Sequence, residues 1–150
     1  MTRINLVEPS QLTNKHLLAE YRELPRVFTA VEKLVYSVDE NAPSKWRDFI
    51  NKGGSPDQYT LGTGHVKFFY QRLPWLLNRF ISICRALSNR NVNINMMLRK
   101  RIISDASDLI NILESHMIHN WQPSPAEIYL NMARLCKRSK IENVLNELAS

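Results

Sequence analysis

The sequence is poor in what several large protein classes require. It holds two cysteines, Cys84 and Cys136, in separate apolar contexts with neither a CxxC nor a histidine at ligand spacing. A disulfide framework and a zinc site are therefore not expected, and both residues read as buried reduced thiols. Glycine is scarce, and Gly62-Thr63-Gly64 lacks the third glycine and the Lys-Ser/Thr of a phosphate-cradling loop; it reads as a tight turn entering a helix at His65. His16, His65, His116 and His119 are not grouped with carboxylates in a metal-binding pattern, and the close pair His116 and His119 reads as surface. No run approaches the roughly eighteen apolar residues of a membrane span, and no cationic-then-apolar leader opens the chain. The expectation is a soluble intracellular protein without metal or membrane.

Acidic residues are missing from one long stretch. Between Lys67 and Ser104 there is no Asp or Glu, whereas Lys67, Arg72, Arg79, Arg85, Arg90, Arg99, Lys100 and Arg101 all fall there. Smaller basic clusters lie near the start (Arg3, Lys15, Arg22, Arg26) and near the end (Arg134, Lys137, Arg138, Lys140), and the net charge is +6. Solvated helix faces usually mix signs, so this imbalance favours a polyanion, nucleic acid before membrane because no amphipathic lipid anchor accompanies it. An ordinary basic surface is the other reading that composition leaves open.

What is present is helical periodicity. Thr13 or Ser10 caps a helix over Gln11 to Leu24, and Pro25 kinks it or opens a second segment through Val27, Val31, Leu34 and Val38. Asp39 to Tyr59, with Pro43, Gly53, Gly54, Ser55 and Pro56, reads as a long surface loop tied down by Trp46 and Phe49. Phe69, Leu73, Leu76, Phe80, Cys84 and Leu87 predict a long central helix from Gly64 to Ser88, bent at Pro74. A weaker repeat covers Ser104 to His119, and Pro123 and Pro125 open a last helix through Ile128, Met132 and Leu135, which Ile141, Leu145 and Leu148 extend. Nothing alternates with period two for long. The chain should be all-α, a single compact domain over 1–150 with about three main helices and long connecting loops.

The N-terminus carries the one chemical suggestion. Thr2 is small enough for removal of the initiator Met1, which leaves a free α-amine next to Arg3. Such an amine has a pKa of about 7.7–8.0 and is lowered by nearby positive charge such as Arg3, Arg22 and Arg26. It is a nucleophile able to form a Schiff base with a sugar carbon. Downstream, His16, Glu20 and Glu23 recur at steps of four and three, with Arg22 and Arg26 on an adjoining stripe. Glu23 so placed is suited to proton transfer or to stabilising an oxocarbenium charge, with arginines gripping phosphates. A plain Glu23 to Arg26 salt bridge on a solvated helix is the competing reading.

The opening MTRINL, the run KHLLAEYRELPRVF from Lys15 to Phe28, LGTGHVKFFY from Leu61 to Tyr70 and Ala133-Arg134-Leu135 resemble the pyrimidine-dimer DNA glycosylase/AP lyase family, typified by endonuclease V of the T-even phages. The resemblance is near-continuous over the first 38 residues, good from Leu61 to about Asn95, and patchy afterwards. It implies a helical single domain and attack of the Thr2 amine on the anomeric carbon of a damaged nucleotide, followed by strand cleavage through elimination. It assigns Glu23 as the catalytic carboxylate, and Arg3, His16, Arg22, Arg26, Lys33 and Arg134 as groups that engage DNA or shape the site. It implies no metal or cofactor and a damaged double-stranded DNA partner with an extruded nucleotide. A small basic enzyme that scans DNA has no evident need for a partner subunit, so a monomer is expected, in the cytoplasm with the DNA of a bacterial or phage-infected cell. The sequence departs from the family at its end: IENVLNELAS replaces an aromatic and lysine segment that reads the lesion, and Trp121, Tyr129 or Trp46 is left as a substitute stacking group or a core anchor. Two alternatives follow, a lyase or glycosylase for another lesion and a non-catalytic DNA-binding protein of the same fold.

Overall fold

A computed structural model describes residues 3–36, 45–113 and 121–149, with backbone alone for 138–147 and 149. The described residues contain helices and no strand. After an extended segment and a 3-10 turn at Pro9–Gln11, the chain forms α1 (Asn14–Glu23), α2 (Pro25–Val35), α3 (Lys45–Asn51), α4 (His65–Phe68), α5 (Leu73–Asn89), α6 (Met96–Leu113) and α7 (Pro125–Ala149). The last three, at 17, 18 and 25 residues, are the main helices.

Thr13 caps α1 by accepting His16 N–H, so the helix starts at Asn14 rather than Gln11. Pro25 occupies the first turn of α2, where its missing N–H costs nothing, and the chain turns there into a separate helix. Val27, Phe28 and Val31 bury the apolar face of α2. Val38 lies outside the described residues.

The expected 39–59 loop is corrected in part. Residues 39–44 lie outside the described residues, but α3 follows because Trp46 is buried and Phe49 packs against both Trp46 and Tyr70, giving the segment an apolar face worth ordering. The expected Gly64–Ser88 helix is also corrected. It breaks at Arg72, whose backbone leaves the helical region, and Pro74 begins α5 instead of bending it. Arg72 is buried over the Phe68 ring at 3.7 Å and donates to the carbonyls of Phe68, Pro56 and Asp57, so it gathers the ends of three turns. α5 packs against α1 and α6 and is the central helix; Asn91, at φ 58°, ends it in the left-handed conformation. α6 starts at Met96 and not near Ser104, because Asn95 accepts Leu98 N–H as its cap. Residues 114–120, including His116, Met117 and His119, lie outside the described residues. Ser124 and Glu127 form a reciprocal capping box at the head of α7. No helix among the described residues is long and apolar enough to cross a membrane.

The core joins the N-terminal segment (Ile4, Leu6, Val7) to α1, α2, α5 and α6. Trp121 belongs to an aromatic box with Phe68, Phe69 and Trp75, 5.0 Å from the Trp75 ring, and Trp46 is buried, so both are anchors; Tyr129 is exposed. Cys84 is buried, and burial pushes its thiol up to about 11. Cys136 is exposed, a correction to the expectation, since its face of α7 does not reach the core.

The turn before α4 places Gly64 at φ 91°, with His65 N–H closing onto Gly62 O. A Cβ there would meet Pro56 at 3.0 Å. Gly64→Ala is expected to cost at least about 1–2 kcal/mol, from the left-handed backbone alone. A thermal melt of the variant indistinguishable from that of the parent would contradict this.

Candidate active site

The extended N-terminal segment has no neighbouring strand, so its amides must find other acceptors. Five consecutive N–H groups do, each on a side chain. Arg3 N–H donates to Glu23 Oε2 at 3.3 Å, Ile4 N–H to His65 Nε2 at 2.9 Å, Asn5 N–H to Glu20 Oε1 at 3.2 Å, and Leu6 and Val7 N–H both to Asn131 Oδ1 at 2.8 and 3.3 Å. The acceptors come from α1, α4 and α7. Three helices thus hold one strand of backbone in a fixed register.

Buried chemistry supports this clamp. Glu20 lies on the inner face of α1 between Leu17 and Leu24, and Arg79 on the inner face of α5 between Leu76 and Ile83. Arg79 Nε and Nη2 donate to Glu20 Oε1 and Oε2 at 2.9 and 3.1 Å, a bidentate pair with both side chains under 5% exposed, and Arg79 Nη1 donates to Val7 O. The Asn5 side chain completes the network: its amide donates to Glu20 Oε2 at 3.2 Å, while its Oδ1 accepts from Asn131 at 3.0 Å and Arg134 Nη2 at 2.9 Å. Every step is a charged or amide group with a matching partner, as a low-dielectric interior demands.

Above the network opens a cleft of about 540 Å³, lined by Arg3, Asn5, His16, Ala19, Glu20, Glu23, Arg134 and Leu135. Of the residues expected from the sequence, Arg3, His16, Glu23 and Arg134 meet in this cleft. Arg22, Arg26 and Lys33 do not line it; they are exposed on α1 and α2. Thr2 lies outside the described residues. Glu20 shares a sequence stripe with His16 and Glu23 but is given no role there, and Asn5, His65, Arg79 and Asn131 were not expected as site residues.

The cleft is polar: its lining carries two arginines, Arg3 and Arg134, and two carboxylates, Glu20, which Arg79 pairs from below, and Glu23, which accepts Arg3 N–H. A family model described as pyrimidine dimer DNA glycosylase matches residues 1–100.

The chain belongs to that family.

DNA is therefore the macromolecule this glycosylase acts on. The matched region contains the clamp from Arg3 to Val7 with Glu20, Glu23, His65 and Arg79. It stops short of α7, which closes the same cleft with Asn131 and Arg134.

The basic stretch from Lys67 to Ser104 divides on inspection. Arg72 and Arg79 are buried, and Arg90 donates to the carbonyls of Pro9, Ser10 and Leu12 and to Asn14 Oδ1. These three cations organise the protein itself. Lys67, Arg85, Lys100 and Arg101 remain exposed. With the half-buried Arg99, the expectation of one strongly positive source is thus reduced to five cations, of which Arg99, Lys100 and Arg101 are consecutive on α6 and Arg101 pairs with Asp105.

Proposed function

We propose that this glycosylase excises pyrimidine dimers through its N-terminal amine and then cuts the strand as an AP lyase. The Thr2 α-amine attacks C1′ of the damaged nucleotide, the glycosidic bond breaks and its electrons leave with the base, and an imine forms between the amine and the opened sugar. Loss of a proton from C2′ then expels the 3′ phosphate by β-elimination. The observation that carries this reading is the Arg3 N–H bond to Glu23 in the cleft lining, because Thr2 is the residue immediately before Arg3. Consecutive Cα atoms lie about 3.8 Å apart across a trans peptide, so covalent geometry ties an amine at residue 2 to the neighbourhood of this bond.

In this reading Glu23 moves the proton and stabilises positive charge on the sugar. Arg3, His16 and Arg134 contact the nucleotide in the cleft. Arg22, Arg26 and Lys33, exposed on the flanking helices, take phosphates outside it and position the duplex without reading its sequence. The enzyme acts as a monomer and requires no cofactor. A second reading, the same lyase on abasic sites or another lesion, is favoured by one feature: the stretch from Leu130 to Ser150 holds no aromatic residue.

Borohydride reduction of an imine fixes protein to DNA, so trapping tests the proposal. Protein beginning at Thr2 is expected to trap on a thymine-dimer duplex and on an abasic duplex, whereas protein retaining Met1 or N-acetylated traps on neither. Trapping on the abasic duplex alone selects the second reading. Absence of any adduct with Thr2 shown to be terminal would remove the amine from the mechanism.

A further inference from the structure

Among the described residues, the clamp on residues 3–7 uses carboxylates, an amide and one imidazole. His65 is 3% exposed at the head of α4. Its Nδ1 lies 2.7 Å from Thr60 O, and its Nε2 takes Ile4 N–H at 2.9 Å. A carbonyl only accepts, so Nδ1 carries the proton and Nε2 offers its lone pair. The rings of Tyr59 and Phe69 stand edge-on to the imidazole at 5.6 and 5.7 Å, and the left-handed Gly64 sets its backbone, so the ring cannot turn away. A second proton, on Nε2, would point N–H at N–H across that bond.

We infer that His65 is a positioning residue of the reaction: its neutral imidazole fixes the backbone at Ile4, and so the line along which the Thr2 amine enters the cleft. This rests on the proposal that Thr2 is the nucleophile. His65 touches no substrate; it acts through two residues of backbone, where a shift of about 1 Å can cost on the order of a hundredfold in rate.

The charged and titratable groups facing the ring are Tyr59 from the preceding loop, Arg3 from the N-terminal segment and Arg134 from α7. Burial lowers the His65 pKa below the usual 6.5; the Thr60 bond opposes this, and Arg134 and Arg3 add to it. Tyr59, pushed up to about 12 chiefly by burial, stays uncharged throughout the acid range. Glu20, Arg79 and Glu127 act on Tyr59. In the folded protein the neutral form is therefore favoured, so its contribution is complete above about pH 6.5 and is lost as pH falls through the lowered value.

The test is single-turnover borohydride trapping on an abasic duplex by wild type, His65→Gln and His65→Leu, from about pH 4.5 to 8, with DNA affinity measured in parallel. Glutamine places an amide oxygen near the Nε2 position and does not titrate. At about pH 7.5, His65→Gln should trap within about threefold of wild type, and His65→Leu at least about thirtyfold more slowly with DNA affinity within about threefold. The decisive quantity is the wild-type to His65→Gln rate ratio, in which titrations of the amine and of Glu23 cancel. It should be flat above about pH 7 and fall on the acid side, where protonation of Nε2 ends the Ile4 bond in wild type alone. A ratio flat at every pH overturns the inference, whether or not His65→Leu folds, and so does a His65→Leu protein as fast as wild type. If wild type itself never traps, the nucleophile proposal fails and this inference goes with it; trapping with a flat ratio sinks the inference alone.

Discussion

Glu23→Gln is expected to slow incision of a thymine-dimer duplex by about 10²–10⁴-fold under single-turnover conditions, the range typical of losing a positioned acid or base. The substitution is suited to the question because its structural effect is small. Glutamine Oε1 can still accept Arg3 N–H, the bond now 3.3 Å long, so the register of the N-terminal segment is kept. Glu23 is only half-buried and is not part of the Arg79 pair, so thermal stability and DNA affinity should hold close to those of the parent. What the variant lacks is a carboxylate able to take a proton or oppose positive charge on the sugar. A rate within about threefold of wild type would remove Glu23 from the chemistry, leaving it as an acceptor for one amide.

Arg79→Met is expected to produce the largest loss of stability, about 3–5 kcal/mol, read as a lowered urea midpoint at unchanged slope. Removing the guanidinium leaves the Glu20 carboxylate buried without its cation and takes a donor from Val7 O. Methionine fills most of the volume, so the effect isolates charge from packing. Combining it with Glu20→Leu should recover part of the loss, because the buried charge is then gone as well. That double variant still leaves Asn5 N–H without its acceptor. A single variant within about 1 kcal/mol of wild type would show that water reaches Glu20 and that the pair is not a dry one.

The sequence made the all-helical architecture legible because the stripes of α2 and α5 repeat cleanly, and Thr13, Pro25 and Pro125 mark the starts of α1, α2 and α7. It concealed α3 because seven residues between glycines and prolines offer periodicity too little length; only the burial of Trp46 orders them. The break at Arg72 was hidden because the apolar spacing runs through it unchanged, and the buried guanidinium bonds to distant carbonyls that no local pattern displays.

For the site, Arg3, His16, Glu23 and Arg134 could be named beforehand largely through resemblance, and one cleft gathers them. The clamp could not be named that way. A signal was nonetheless present: Glu20 falls on the apolar face of α1 and Arg79 on that of α5, and opposite charges on two inward faces must find one another. Asn131 and His65 left no such trace. Their partners are backbone amides 125 and 61 residues away, and a backbone amide has no letter in a sequence.

The Asn131 bond also sets an order of assembly. Leu6 and Val7 leave the ribosome early, but the oxygen that accepts both their amides belongs to a residue made more than a hundred positions later. Closing so long a loop is among the slow, late events in folding. A nascent chain halted before residue 131 therefore holds the acceptors for Arg3, Ile4 and Asn5 but not the one that Leu6 and Val7 share, so the clamp is completed only from the far end of the chain.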